Sequence, residues 1–246
     1  MRFADSHVHL SDYPDAEAEI RGSNRAGIEI VMVSVDRATS FRSLDIARAH
    51  PNMVRAFVGV HPSEAGSSGE LNWVEGALVE AHGCGEVGLD PTYAESTRGG
   101  RQAKVFEALL GMAEKAGKPV QVHTRRAENA CLQILSEFHL NRVLLHWFEG
   151  EDFMQEASGK GYYISFGPAL LNSKRLQRIA TSFERERILT ESDGPVPFKA
   201  LGGVRGPGMV PSVVFRLAGL WRMKFDDARE IVLQNHARYL MAGGKG

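Results

Sequence analysis

The chain has only two cysteines in 246 residues, Cys84 and Cys131, and they form no CxxC pair. That argues against a disulfide framework or a zinc knuckle, and two reduced thiols fit a cytoplasmic protein. Long apolar runs are missing. None approaches the roughly 18 residues of a membrane span, and the opening Met1–His7 lacks the apolar core of a signal peptide. An excess of charge is missing too. Lys plus Arg total 29 and Asp plus Glu 30, a formal net charge of −1. The chain as a whole therefore does not attract nucleic acid or an anionic membrane, although a local basic surface is compatible with this balance. No GxGxxG or Walker loop follows any strand-like run, which argues against an open nucleotide-binding sheet.

Apolar, strand-like runs alternate with helical patterns along the whole length. Strands are expected at 3–9, 28–35, 54–61, 84–89, 119–123, 143–146, 162–166 and 188–193. Helices are expected at 15–26, 41–49, 70–81, 102–116, 127–138, 153–158 and 173–183, with 211–222 and 225–241 closing the chain. Repeated βα units of about thirty residues predict an α/β chain folded as a (β/α)8 TIM barrel. No break in composition marks a second domain, so residues 1–246 are expected to form one. The Gly/Pro-rich segment 201–211 reads as a long loop after strand eight, and 243–246 as a frayed tail.

Five of the strand-like segments end in metal-binding side chains: Asp5-Ser6-His7-Val8-His9, Gly85-Glu86-Val87-Gly88-Leu89-Asp90, Val120-Gln121-Val122-His123, Val143-Leu144-Leu145-His146 and Leu189-Thr190-Glu191-Ser192-Asp193. Residues two apart on a strand share a face. Asp5, His7 and His9 should therefore point together into the barrel, as should Cys84 with Glu86, Gln121 with His123, Leu144 with His146, and Glu191 with Asp193. Sites in such barrels lie at the C-terminal ends of the strands. Imidazoles and carboxylates gathered there suit a hydrolase in which a divalent ion activates water. His61, in Gly59-Val60-His61-Pro62, adds the third strand.

Each piece alone has a plainer reading. A His-Val-His pair arises by chance, but this one sits at a strand end beside an inward Asp5. Glu86 lies in an apolar strand, where an unpaired carboxylate is costly. A single histidine ending an apolar run is usually a hydrogen-bonded core residue; His123 and His146 at equivalent barrel positions reverse that preference. Asp193 could simply cap the Asp-Gly-Pro turn. Arg125 is either a surface ion pair or an anion clamp. Trp147 and Phe148 read as packing at the barrel mouth rather than a stacking surface, and Cys84 as inert core beneath Glu86. His50, His82, His139 and His236 read as structural or exposed.

On these residues the chain resembles the TatD family of metal-dependent hydrolases. The matching pieces are Asp5–Leu10, Gly59–Pro62, Gly85–Asp90, Val122–Arg125, His146–Gly150 and Thr190–Pro195, in order, with Gln102, Phe106 and Asn235 also in place. The resemblance implies a barrel with one or two divalent ions (zinc, manganese or magnesium) and a hydrolytic activity, often DNase. It implies that His7, His9, Glu86 and Asp193 hold one ion, and that Glu86, His123 and His146 hold the second, with Glu86 as the bridge. Asp193 would also handle the proton of the attacking water, while His61 and Arg125 would contact the scissile phosphate. Two departures stand out. The aromatic expected after Gly-Leu-Asp is displaced to Tyr93, behind Pro91. The family's Asn-Glu-Pro stands here as Met209-Val210-Pro211, which makes part of the outer pocket apolar.

The expected substrate is DNA, single-stranded or entered from an end. The alternative is an ester, lactone or amide, including aminoacyl-tRNA, on the same water-activating centre. A catalytically idle binding protein fits less well with a complete ligand set.

Overall fold

The computed structural model describes residues 2–67, 69–93, 100–198, 202 and 206–241. Eight strands, β1 (Phe3–Val8), β2 (Ile28–Met32), β3 (Val54–Val58), β4 (Gly83–Gly88), β5 (Val120–His123), β6 (Val143–Leu145), β7 (Tyr163–Phe166) and β8 (Ile188–Thr190), lie side by side in chain order. All seven pairings are parallel. The two ends of the sheet meet, with Thr190 Oγ1 donating to the Ala4 carbonyl at 2.8 Å and the Asp193 amide to the His7 carbonyl at 3.0 Å. The fold is the (β/α)8 barrel expected from the alternation of elements.

The intervening helices are α1 (Ala16–Ala26), α2 (Arg37–Ala49), α3 (Asn72–Glu80), α4 (Arg101–Ala116), α5 (Glu128–Leu135), α6 (Met154–Gly159) and α7 (Lys174–Ser182). Helices α8 (Val210–Trp221) and α9 (Phe225–Leu240) follow β8. Helix α2 begins four residues before the apolar pattern does, because Asp36 and Thr39 form a capping box. Strands end earlier than their apolar runs suggest. His9, His61, His146 and Asp193 all lie just past the last paired residue, on the loops of the C-terminal face. Residues 201 and 203–205 of the loop expected at 201–211, and the tail at 243–246, fall outside the described residues; the loop's second half turns at Pro207–Met209 and enters α8 at Val210.

Alternation sorts the strand side chains into two cores. Val31, Val33, Phe57, Leu144, Tyr163 and Leu189 fill the barrel, where Tyr239 of α9 joins them and bonds the Val120 carbonyl at 3.0 Å. Ile30, Met32, Val58, Val87, Val122 and their equivalents pack outward against the helices. Cys84 belongs to this outer layer, its Sγ 3.9 Å from the Leu109 carbonyl of α4. It therefore does not share a face with Glu86. The register of β4 against β5 is irregular between Cys84 and Val87, so simple alternation fails there.

Asn235 ties α9 to the entry of β8 by donating from one amide nitrogen to the Arg185 and Ile188 carbonyls, at 2.6 and 2.8 Å. Asn235→Ala leaves both carbonyls without their partner, at about 1–3 kcal/mol each where they stay dry. A urea-denaturation midpoint lowered by the equivalent of about 2–6 kcal/mol is expected.

Candidate metal centre

Glu86, buried to 1% exposure at the end of β4, is the hub. One oxygen, Oε1, lies 2.6 Å from His123 Nδ1, 2.7 Å from His146 Nε2 and 3.7 Å from His61 Nε2. The other, Oε2, lies 3.1 Å from His9 Nε2 and 3.4 Å from His7 Nε2. Asp193 closes the far side, with Oδ1 at 3.6 Å from His7 Nε2 and 3.5 Å from His9 Nε2. Its backbone is left-handed, φ 49°, which swings the carboxylate back over β1. The structure thus brings His7, His9, His61, Glu86, His123, His146 and Asp193 together.

Burial alone would raise the pKa of Glu86, but the imidazoles of His146, His61 and His7 and the hydrogen bond to His123 hold it well below the usual carboxylate range. Burial also pushes His61 and His146 down to about 4, so both rings are neutral at ordinary pH, which leaves His146 able to bind a cation. Three overlapping groups have ligand atoms close enough to hold an ion: His7 with His146 and Asp193, His7 with His9 and Glu86, and His61 with Glu86 and His123. The donor set fits a divalent ion on a second count. His7 Nε2 and Glu86 Oε2 are buried side by side with no hydrogen-bond partner. Such atoms are costly unless something outside the chain satisfies them.

The surrounding hydrogen bonds decide which ring nitrogen is open. Gln121 donates to the Ser6 carbonyl and accepts at Oε1 from His7 Nδ1, both at 2.7 Å, which leaves the His7 Nε2 lone pair toward the centre. Asp90 accepts from His123 Nε2 at 3.0 Å and so opens Nδ1. His61 is different. Its Nδ1 accepts from the Ser63 amide at 3.2 Å, so its proton sits on Nε2, facing the cleft as a donor. Gln121 and Ser63 were not among the sequence-predicted site residues, and Asp90 ended one of the candidate segments without being given a role of its own. The signal for Gln121 was its place two residues before His123 on the inward face.

Two buried carboxyls sit just outside the cluster. Asp5 accepts from the Ser192 amide at 2.9 Å, and burial pushes its carboxyl up to about 7. Glu191 turns toward β7, where it accepts from Ser165 Oγ and from the Trp147 amide; burial pushes it up to about 8. Helix α4 contributes Gln102, which accepts from the Asp90 amide and donates to the Pro62 and Asp90 carbonyls, fixing the β3 and β4 loops.

Above the cluster opens a cleft of about 1030 Å³. Arg125 lines it, exposed, with one nitrogen 3.9 Å from Asp90. Tyr93 restores the displaced aromatic: the turn at Pro91–Tyr93 brings its ring 5.7 Å from His61, edge to face. Trp147 and Phe148 part company, since Phe148 is buried in the helix layer and Trp147 lines the cleft. The apolar Met209-Val210 pair does not make the cleft apolar. Val210 opens α8 and packs with Phe3, Ile28 and Val214, and among the described residues neither lines the cleft.

The structure superposes on YjjV, a TatD homolog from Escherichia coli K12, with a TM-score of 0.87 at 23% identity, covering 97% of each chain. A hydrolase TatD family protein from Entamoeba histolytica gives 0.82 at 16% identity over 97% of this chain and 98% of its own. In sequence the chain is 28% identical to the uncharacterized metal-dependent hydrolase YabD of Bacillus subtilis, over 95% of this chain and 97% of that one. It is 27% identical to a 3'-5' ssDNA/RNA exonuclease TatD of Edwardsiella piscicida, over 93% of each. Among the described residues no helix is long and apolar enough to cross a membrane. The family model for TatD related DNase matches residues 4–241, and by that match over nearly its whole length the chain belongs to the TatD family of metal-dependent hydrolases.

Proposed function

We propose that this chain is a phosphodiesterase acting on DNA, on single strands or on ends, with one or two divalent ions held by His7, His9, Glu86, His123, His146 and Asp193. The observation that carries the metal reading is the pair of unpartnered buried atoms, His7 Nε2 and Glu86 Oε2, at the centre of the donor cluster. The exonuclease activity for which the Edwardsiella piscicida relative is named supports a nucleic-acid substrate. Glu86, whose two oxygens face different histidines, suits a bridging position.

Divalent ions bound there would supply an activated water and neutralise charge developing on the phosphoryl oxygens. The chain's own groups do the rest. His61 Nε2–H and the Arg125 guanidinium face the cleft as donors, placed to orient a non-bridging phosphate oxygen. Asp193 stands between His7 and His9 at the open side of the cluster, where its carboxylate orients the attacking water and takes its proton. The cleft is recessed, and its depth favours a flexible strand over a continuous duplex.

Three outcomes are expected. The purified protein should contain one or two divalent ions by elemental analysis, and exhaustive chelation should remove both metal and hydrolysis; activity indifferent to metal removal would contradict the mechanism. Glu86→Ala should lose metal and activity together. Asp193→Asn, which tolerates the left-handed backbone, should keep much of the metal while its single-turnover rate falls by roughly two to four orders of magnitude. Full activity in that variant would remove Asp193 from the proton-transfer role. With equal salt throughout, hydrolysis should run fastest on single strands, then on frayed duplex, and slowest on blunt duplex. Turnover of a lactone or ester with no cleavage of DNA would instead establish the amidohydrolase-like alternative.

A further inference from the structure

The cleft mouth is not uniform. Its β5–β7 side carries Arg125, Arg126 and Glu128 after β5, Trp147 and Glu149 after β6, and Arg175 on the first turn of α7. The facing side, contributed by β1 to β3, offers Asp12, Val35 and Ser63 at the rim and no cation among the described residues. Arg126 and Arg175 are both exposed, and among the described residues neither forms an ion pair. The neighbouring Arg178, by contrast, is bound through two nitrogens to Glu151, each bond 2.8 Å long. Three arginines against Glu128 and Glu149 leave this wall with an excess of positive charge, whereas the facing rim carries only the carboxylate Asp12, and Arg126 and Arg175 are the two arginines of the wall with no ion pair of their own among the described residues.

Trp147 lies between the loops that carry these arginines. It is half-buried, with its ring edge against Gly167, where an added Cβ would stand 3.6 Å away. Its backbone is left-handed, φ 43°, a conformation that a bulky residue adopts only when its surroundings impose it. The buried Glu191 imposes it here by accepting from the Trp147 amide at 3.0 Å. An indole fixed in advance on the wall of a cleft loses little entropy when a flat ring stacks on it.

We propose that this wall is a subsite for the nucleotide adjoining the scissile phosphate, with Trp147 stacking its base and Arg126 and Arg175 taking the phosphates that follow. The inference rests on the phosphodiesterase reading above and gives it a direction: the substrate strand leaves the centre across β5–β7. Glu191 is a positioning residue for Trp147.

The test compares a thymidine octamer with bis(4-nitrophenyl) phosphate, which has no base and no second phosphate, on metal-loaded enzyme. Trp147→Asn removes the ring while accepting the left-handed backbone, and Trp147→Phe keeps an aromatic face. Trp147→Asn should raise KM for the octamer by about fivefold to a hundredfold, the range expected for one stacked base. Trp147→Phe should recover much of that loss. The double variant Arg126→Ala/Arg175→Ala should flatten the slope of log KM against log salt by about 1.4, or about 0.7 for each single-strand phosphate that no longer meets an arginine. In both variants the loss on the octamer should exceed the loss on the nitrophenyl diester by at least about fivefold. Equal losses on both substrates would show that these residues act through the centre, and would overturn the subsite. An octamer KM and salt slope unchanged in both variants would overturn it while leaving the phosphodiesterase reading intact. Wild-type enzyme that hydrolyses neither substrate would overturn that reading, and the subsite with it.

Discussion

A carboxylate buried among four strand ends has no water to solvate it, and the upper barrel is arranged around that constraint. Glu86 would cost several kcal/mol if left ionised and unpaired. Histidines from β1, from the loops after β3 and β6, and from the end of β5 surround it at 2.6–3.7 Å, and they hold it ionised despite its burial. No one of these histidines could do so alone, because burial disfavours the charge on each of them and only the nearby carboxylates offset it. The cluster is balanced only as a group, and the unpartnered His7 Nε2 and Glu86 Oε2 at its middle leave that balance open to a cation.

The groups behind the imidazoles are as specific as the imidazoles themselves. Gln121 and Asp90 each occupy the rear nitrogen of a histidine and turn its lone pair to the centre. Ser63 does the reverse for His61 and turns a proton to the cleft. The same side chain thus serves as a ligand candidate at one strand end and as a donor at another, through a single hydrogen bond each time. Below this layer the barrel is apolar, filled by Phe57, Leu144, Tyr163 and Tyr239. The polar layer therefore rests on a packed floor, and the loops above it are free to differ in charge from one side of the mouth to the other.

Much of this was legible in the chain. Apolar runs of four to eight residues alternating with helical patterns located all eight strands and the helices between them. Every donor around Glu86 ends such a run or, like His7, lies two residues before its end on the same face, so each was a candidate before its neighbours in space were known. Alternation along a strand also paired Gln121 with His123 correctly. It failed at Cys84, because the inward and outward positions are exchanged where β4 slips its register on β5, and no local pattern announces an irregularity imposed by a neighbouring strand. Strand ends were placed too late, since apolar residues continue past the last hydrogen bond into buried loops. Val210 misled for a related reason: composition showed an apolar residue near the expected rim, but its neighbours Phe3 and Ile28 lie about two hundred residues away in sequence.

The sequence by itself determined the class of fold, the strand ends that carry imidazole and carboxylate, and the absence of any charge excess, because periodicity and residue chemistry are local properties. Only the tertiary structure decided which nitrogen of each histidine faces the centre, that Glu86 lies between two sets of donors, and that Arg126, Trp147 and Arg175 occupy one wall. Those are relations among residues as far apart as Ser6 and His236 or Ala4 and Thr190, and closure of the barrel is what brings them within hydrogen-bonding distance.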